Sequence, residues 1–270
     1  MKTVLITGTS SGIGKAAVIE FANAGWNVAA TMRNPEAFIE FSQLPNVKLY
    51  ALDVTNTESI STAMNQVKAD FGSLDVVVNN AGFGVDGVFE AMSDEVIQKQ
   101  FDTNVFGLMR VTREAIKIMR NQQGGNIVQI ASMGGRLAFP LYSIYHASKW
   151  AVEGFTESLQ YEVMPFNIRL KIVEPGAIKT EFYGRGRQFV KPENSDLYDD
   201  FIAKVEKVSM EAGAKGEDPS LVAKTIVKAA TDQSAKLRFP IGAPAPMLLF
   251  LRKLLPETLF FGIVKSSYKI

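Results

Sequence analysis

Short apolar runs, each followed by a turn and then a longer amphipathic stretch, alternate down most of the chain. Residues 2–7, 27–32, 47–52, 74–79, 126–131, 168–174 and 237–241 read as strands. Residues 13–24, 57–71, 94–120, 147–163 and 219–230 carry apolar positions at helical spacing, and 35–43 is a further helix candidate. Strands that are apolar on both faces and alternate with helices pack as a parallel sheet covered on both sides. The pattern predicts an α/β fold: a doubly wound parallel sheet of Rossmann type, with about seven strands and helices on both faces.

Two regions break the rhythm. Residues 179–216 place Tyr183, Phe189 and Tyr198 among charged side chains and are far longer than an ordinary connection, so they read as a substrate lid. Residues 243–270 are Pro-rich at first and then Leu- and Phe-rich at helical spacing, too apolar for a disordered linker. This C-terminal extension is expected to cover the substrate mouth, extend a dimer contact or lie on a membrane surface. Within it, Arg252, Lys253, Pro256 and Glu257 interrupt the apolar run, which therefore fails as a transmembrane span. A length of 270 residues fits one domain covering 1–270.

Composition narrows the chemistry. Lys and Arg number 29 against 28 Asp and Glu, so no electrostatic footprint marks a nucleic-acid partner. There is no cysteine and one histidine, which removes disulfides, thiolate catalysis and any cluster of Cys or His around a metal. No metal is expected. The apolar run at 4–6 is too short for a signal peptide, and a reducing cytoplasmic setting follows. A catalyst built here must use oxygen, lysine and a borrowed cofactor.

Tyr145 and Lys149 stand four residues apart in what reads as the first turns of a helix, and so share a face. An ammonium beside a phenol favours the phenolate and makes the tyrosine a general acid or base nearer neutral pH. The same spacing also arises by chance, and its surroundings decide. His146, one position on, points elsewhere and reads as packing or a surface contact. The loop Thr7, Gly8, Thr9, Ser10, Ser11, Gly12, Ile13, Gly14 follows the first strand and opens the first helix. Such glycines let backbone approach a pyrophosphate at the helix N-terminus, although a plain turn would use them too. Where the second strand ends, at Thr31, Met32 and Arg33, no carboxylate is present. Arg33 suits a 2′-phosphate and so NADP rather than NAD, unless it is an ordinary loop arginine.

With these stand Asp53 and Val54 after the third strand, Asn79, Asn80, Ala81 and Gly82 after the fourth, Asn104 within the long helix, Ser132 after the fifth strand, and Pro175, Gly176 and Thr180 after the sixth. In that order they resemble the short-chain dehydrogenase/reductase family over nearly the whole chain. The segment 29–34 and the C-terminal extension resemble its branch of 17-beta-hydroxysteroid and retinol dehydrogenases and acyl-dihydroxyacetone-phosphate reductases.

The resemblance implies roles. Ser132 would hold a substrate carbonyl oxygen near Tyr145, the proton donor. Lys149 would bind the nicotinamide ribose and depress the Tyr145 pKa, while Asn104, at a local distortion of its helix, would hold a water linking Lys149 to solvent. Asp53 would meet the adenine amino group with the Val54 backbone nearby, and Asn80, Ala81 and Gly82 would pass under the ribose and diphosphate. Asn80 has the alternative of bracing the sheet. Pro175 and Gly176 would turn past the nicotinamide, with Ile178 offering backbone and Thr180 its hydroxyl.

The expected activity is NADP(H)-dependent carbonyl reduction or alcohol oxidation on a hydrophobic substrate, the pocket walls being Phe83, Met133, Leu137, Phe139, Leu141, Tyr142, Phe182 and Tyr183. Several of these would serve equally as core. A cofactor-binding sensor without turnover is the alternative, and a homodimer or homotetramer is expected.

Overall fold

The computed structural model describes residues 1–270 apart from 37, 184–185 and 194–195 and the side chain of Tyr183. In chain order the elements are β1 (Thr3–Thr7), α1 (Gly12–Asn23), β2 (Asn27–Met32), β3 (Val47–Ala51), α2 (Thr57–Phe71), β4 (Val76–Asn79), β5 (Gly84–Gly87), α3 (Asp94–Phe101), α4 (Leu108–Asn121) and β6 (Gly125–Ile130). They continue with α5 (Ser143–Val163), β7 (Ile168–Pro175), β8 (Arg187–Val190), α6 (Asp199–Ala214), α7 (Pro219–Thr231), β9 (Arg238–Ile241), α8 (Ala245–Leu254) and α9 (Glu257–Tyr268).

A seven-stranded sheet runs β3-β2-β1-β4-β6-β7-β9. All its pairings are parallel. Side chains alternate across it. Val4 and Ile6 of β1 pack with Val18 and Phe21 of α1 and Val222 and Ile226 of α7. Leu5, between them, packs on the opposite face with Ile60 and Met64 of α2, Val111 and Met119 of α4, and Leu159 of α5. Truncating a fully buried Leu5 to Ala would cost about 2–5 kcal/mol. The doubly wound fold expected from the alternation is the fold observed.

The departures have local causes. The expected helix over 94–120 is interrupted by a π-helical segment, Asp102–Gly107. There the backbone passes close to Val54, which a Cβ on Gly107 would meet at 2.8 Å. α5 begins at Ser143, so Tyr145 lies in its first turn. Residues 35–43 hold turns and no helix among the described residues. Within 179–216, read as one long loop, lie β8 and α6. β8 pairs with β5 in a separate two-stranded parallel sheet, from Gly84 opposite Arg187 to Gly87 opposite Val190. The C-terminal residues form two helices whose inner face, Ala245, Leu249 and Phe260, packs on Leu137, Met133 and Phe139. Among the described residues, no helix is long and apolar enough to cross a membrane.

Candidate active site

The C-terminal ends of β1, β4, β6 and β7 deliver their loops to one crevice, where ligands of such sheets bind. The loop after β1 enters α1 through Ser11, which makes no side-chain capping bond, and the first turn of α1 holds no acidic residue. The contrast is with α2, α3 and α7, whose first N–H groups are taken by Asn56, Ser93 and Asp218. The N-terminal N–H groups of α1 are left for another acceptor, and the dipole there favours an anion. A Cβ on Gly14 would collide with the Gly8 carbonyl and the Asn80 amide, so the close approach of loop and strand requires glycine. Gly12 faces Thr180, a built Cβ lying 3.4 Å from its methyl. Beside this pair opens a cleft of about 530 Å³, lined also by Lys15, Lys179 and Ser220 but by none of Ser132, Tyr145 and Lys149. An uncapped helix start and a glycine-rich loop fit the pyrophosphate of a dinucleotide.

Asn80 takes the bracing role. Its amide donates to the carbonyls of Thr7 and Gly8, both at 2.9 Å, and its N–H donates to Thr7 Oγ1 at 3.0 Å. Its side chain is therefore committed to the glycine loop, and only backbone at 80–82 remains for a ligand. Asp53 Oδ1 accepts from the N–H and hydroxyl of Thr55 at 2.8 and 2.7 Å, and its second oxygen has no partner among the described residues. Val54 is buried. Arg33 is exposed. Ile178 pairs with Glu217 through its neighbours, Glu217 donating to Ala177 and Lys179 donating to Glu217, so its own amide faces the other way. The N–H of Gly176 donates to Ile241, which fixes the turn after Pro175.

Ser132, Tyr145 and Lys149 come together from the end of β6 and the first turns of α5. Ser132 Oγ accepts from Gly134 N–H at 3.1 Å, capping a short turn, and its hydroxyl lies close enough to Tyr145 to favour the phenolate. Lys149 donates to the Ile130 carbonyl at 2.8 Å and lies 5.9 Å from the centre of the Tyr145 ring.

The electrostatics correct the expectation from spacing. Burial pushes the Tyr145 phenol up to about 12, against the lowering effect of Ser132. Burial also draws Lys149 down to about 8, although Glu153 opposes this. Low dielectric around both groups thus outweighs their mutual effect.

Asn104 is buried in the π segment. Its Oδ1 accepts from Phe83 N–H at 3.1 Å, and its Nδ2 donates to Phe83 O at 2.9 Å and to Ser148 Oγ at 3.4 Å. The amide is thereby spent on the backbone after β4 and does not reach Lys149. His146 is buried packing: its Nδ1 accepts from Phe139 N–H, its ring stacks on Tyr142, and burial lowers its pKa to about 4.

The wall residues divide. Phe182 lies over Tyr145, ring centres 5.1 Å apart, and is admitted by Gly84, where a Cβ would touch it at 2.7 Å. Phe83 and Met133 are half-buried at the same crevice. Leu137, by contrast, is core under α8 and α9, and Phe139 packs against Tyr268. Tyr142 is buried, its ring edge-on to Tyr145, and lies near Ser209 of α6, as does Tyr268. Leu141, at positive φ, accepts from Gly87 N–H through its carbonyl. The Tyr183 side chain lies outside the described residues.

Two ionic clusters escaped the sequence reading. Arg187 of β8 grips Asp86 of β5 with Nε 2.8 Å from each carboxylate oxygen and Nη2 2.5 Å from Oδ2, and Nη2 also donates to Glu206 at 3.0 Å. Behind Lys149, Arg238 donates to Glu153 at 2.9 Å and Arg136 to Glu174 at 3.1 Å. One oxygen of each carboxylate there is buried without a partner among the described residues. Glu153 is pushed up to about 7, first by burial and then by Glu174. Its position four residues past Lys149, on the same helix face, was the available signal.

Comparison with known proteins agrees with the fold. The family described as short chain dehydrogenase matches residues 2–190. An uncharacterized oxidoreductase, YusZ of Bacillus subtilis, is 35% identical over 276 residues, covering 98% of each chain. A 3-ketodihydrosphingosine reductase of Bacteroides thetaiotaomicron is 32% identical, covering 99% of this chain and 98% of that one. Among solved structures, a short-chain dehydrogenase from Streptomyces avermitilis superposes with a TM-score of 0.84 at 33% identity, covering 98% of this chain and 97% of that one. ElxO with NADP bound does so at 0.70 and 28% identity, covering 88% and 97%.

Proposed function

Since the chain belongs to the short-chain dehydrogenase family, we propose that this oxidoreductase is an NADPH-dependent carbonyl reductase, acting on a hydrophobic ketone or aldehyde and in reverse as an alcohol dehydrogenase. The observation that carries the reading is the convergence of Ser132, Tyr145 and Lys149, with the Lys149 ammonium 5.9 Å from the centre of the Tyr145 ring. The α1 N–H groups, the loop Gly8–Gly14, the free Asp53 oxygen, the backbone of Val54 and 80–82, and Ile178 with Thr180 would hold the dinucleotide. When bound, NADPH supplies the hydride.

The chain's own residues handle the proton. Ser132 holds the carbonyl oxygen by its hydroxyl and keeps it within reach of Tyr145. A phenol pushed up to about 12 carries its proton at neutral pH and so starts as the acid that reduction needs. Lys149, drawn down to about 8, is still mostly charged at neutral pH and stabilises the phenolate left behind. Reduction is therefore level through neutral pH, while alcohol oxidation rises as the pH climbs.

NADP rather than NAD is supported by Arg33 at the end of β2, where no carboxylate stands, and by the NADP held in the similar ElxO structure. An apolar carbonyl compound is supported by Phe182, Phe83 and Met133, and by a relative named as a reductase of a keto compound. Residues 179–216 act as the lid within one domain spanning the chain, Phe182 being its contact with Tyr145. The protein is a homodimer or homotetramer, with exposed Phe106, Trp150 and Tyr161 in the contact.

Replacing Tyr145 by Phe tests the mechanism: turnover of an aryl ketone panel should fall about 10²–10⁴-fold, with NADPH fluorescence still titrating normally. Full activity in that variant would sink the proposal. Light scattering tests the assembly, a monomer refuting it.

A further inference from the structure

A surface helix of a folded protein turns one apolar face inward and shows polar residues to water. α8 and α9 do not. Their inner residues, Ala245, Leu249, Phe260 and Tyr268, are buried against the body of the protein. Their outer positions are apolar as well: Met247, Phe250 and Leu254 at helical spacing on α8, and Leu259, Phe261 and Ile263 on α9 are each between 41% and 61% exposed. So many large apolar side chains on one pair of helices mark a surface that lacks its partner.

Charge identifies the partner. Residues 243–270 hold Arg252, Lys253, Lys265 and Lys269 against Glu257 alone, a net +3, whereas the whole chain is +1, leaving −2 for residues 1–242. Arg252 is paired with Glu257 at 2.9 Å and lies over Phe260 and Phe261. Lys253, Lys265 and Lys269 are exposed and make no ion pair among the described residues. Exposed apolar side chains interleaved with unpaired lysines suit an anionic bilayer interface. A second copy suits them poorly, because a two-fold contact would set this lysine group against itself.

We infer that the outer face of α8 and α9 docks on an anionic phospholipid surface. The inner face of the same helices packs on Met133, Leu137 and Phe139, the segment that follows Ser132, so the docked helices would lie between that segment and the lipid. Neither helix crosses the bilayer. The contact lies in the interface plane.

Flotation of the full chain with vesicles of phosphatidylcholine, alone or mixed with phosphatidylglycerol, is the test. The protein should float with the mixed vesicles only, and less as salt rises. Reversing Lys253, Lys265 and Lys269 to Glu should weaken binding on the order of 100-fold or more, from about 1 kcal/mol per lysine. Phe250→Glu with Leu254→Glu should abolish flotation while mass in solution and turnover of a water-soluble carbonyl compound hold. Absence of flotation, equal flotation with phosphatidylcholine alone, or a fall in mass in the Phe250/Leu254 variant would overturn the inference, the last by showing that a second copy covers this face. Flotation itself involves neither NADPH nor turnover, so the inference stands or fails apart from the proposed activity.

Discussion

On the glycine-loop side of the crevice, the groups held in place are backbone: the Asn80 side-chain amide ties the carbonyls of Thr7 and Gly8, and Gly14 is admitted only because it has no side chain. On the substrate side they are made by side chains far apart in sequence, such as Arg187 gripping Asp86 across 101 positions, or Phe182 lying on Tyr145. A cradle made of backbone accepts one ligand shape. A wall made of rings and ion pairs can be rebuilt without disturbing the sheet, so the two sides should respond separately to mutation.

Arg187→Leu is expected to show the largest effect. It leaves Asp86 buried, 1% exposed, with no guanidinium, at a cost of about 3–5 kcal/mol. Hydrogen exchange should accelerate at 84–90 and 187–190 and stay unchanged at 3–14; equal acceleration in both places would dissolve the distinction. Gly14→Ala should do the reverse, lowering stability by about 1–3 kcal/mol through overpacking. Its cofactor dissociation constant should rise while the substrate KM holds. Phe182→Ala should raise the substrate KM by about tenfold, from an aromatic contact of about 0.5–1.5 kcal/mol, with NADPH binding unmoved.

The smallest change is one of slope. Glu153 is pushed up from 4.5 to about 7, so the folded state binds its proton more tightly than the unfolded state. The stability it contributes is complete below about 4.5 and is lost as the pH rises to about 7. Glu153→Gln should flatten the melting temperature over that window relative to the unaltered protein. An unchanged slope would place the titration elsewhere.

The same division governs what could be read from the sequence. The seven main strands announce themselves by Val, Ile and Leu on both faces, and the loop at 7–14 by its glycines. Ser132, Tyr145 and Lys149 are brought together as their flanking elements imply. β5, Gly84–Gly87, is too short and too rich in glycine to carry a pattern, and β8 depends on it for pairing. α6 hides because its apolar positions are scattered among Asp, Glu and Lys. The break at 102–107 has no proline to signal it, and only the family resemblance placed a distortion at Asn104. Spacing also gave the wrong sign for Tyr145, because a neighbour in sequence is visible and the depth of burial is not. Asn80 and Asn104 were recognisable as amides needing partners, but which backbone they serve depends on tertiary geometry.

Arg33 ends β2 exposed, with no hydrogen bond or ion pair to the rest of the protein among the described residues. It is a detachable part. Exchanging it alters the charge met by whatever reaches the end of that strand without withdrawing support from any other residue. Under the proposed NADP preference, a substitution at this position would change the redox pool the protein draws on with no loss of folding stability, whereas a change at Gly14 or Asn80 would disturb the fold first.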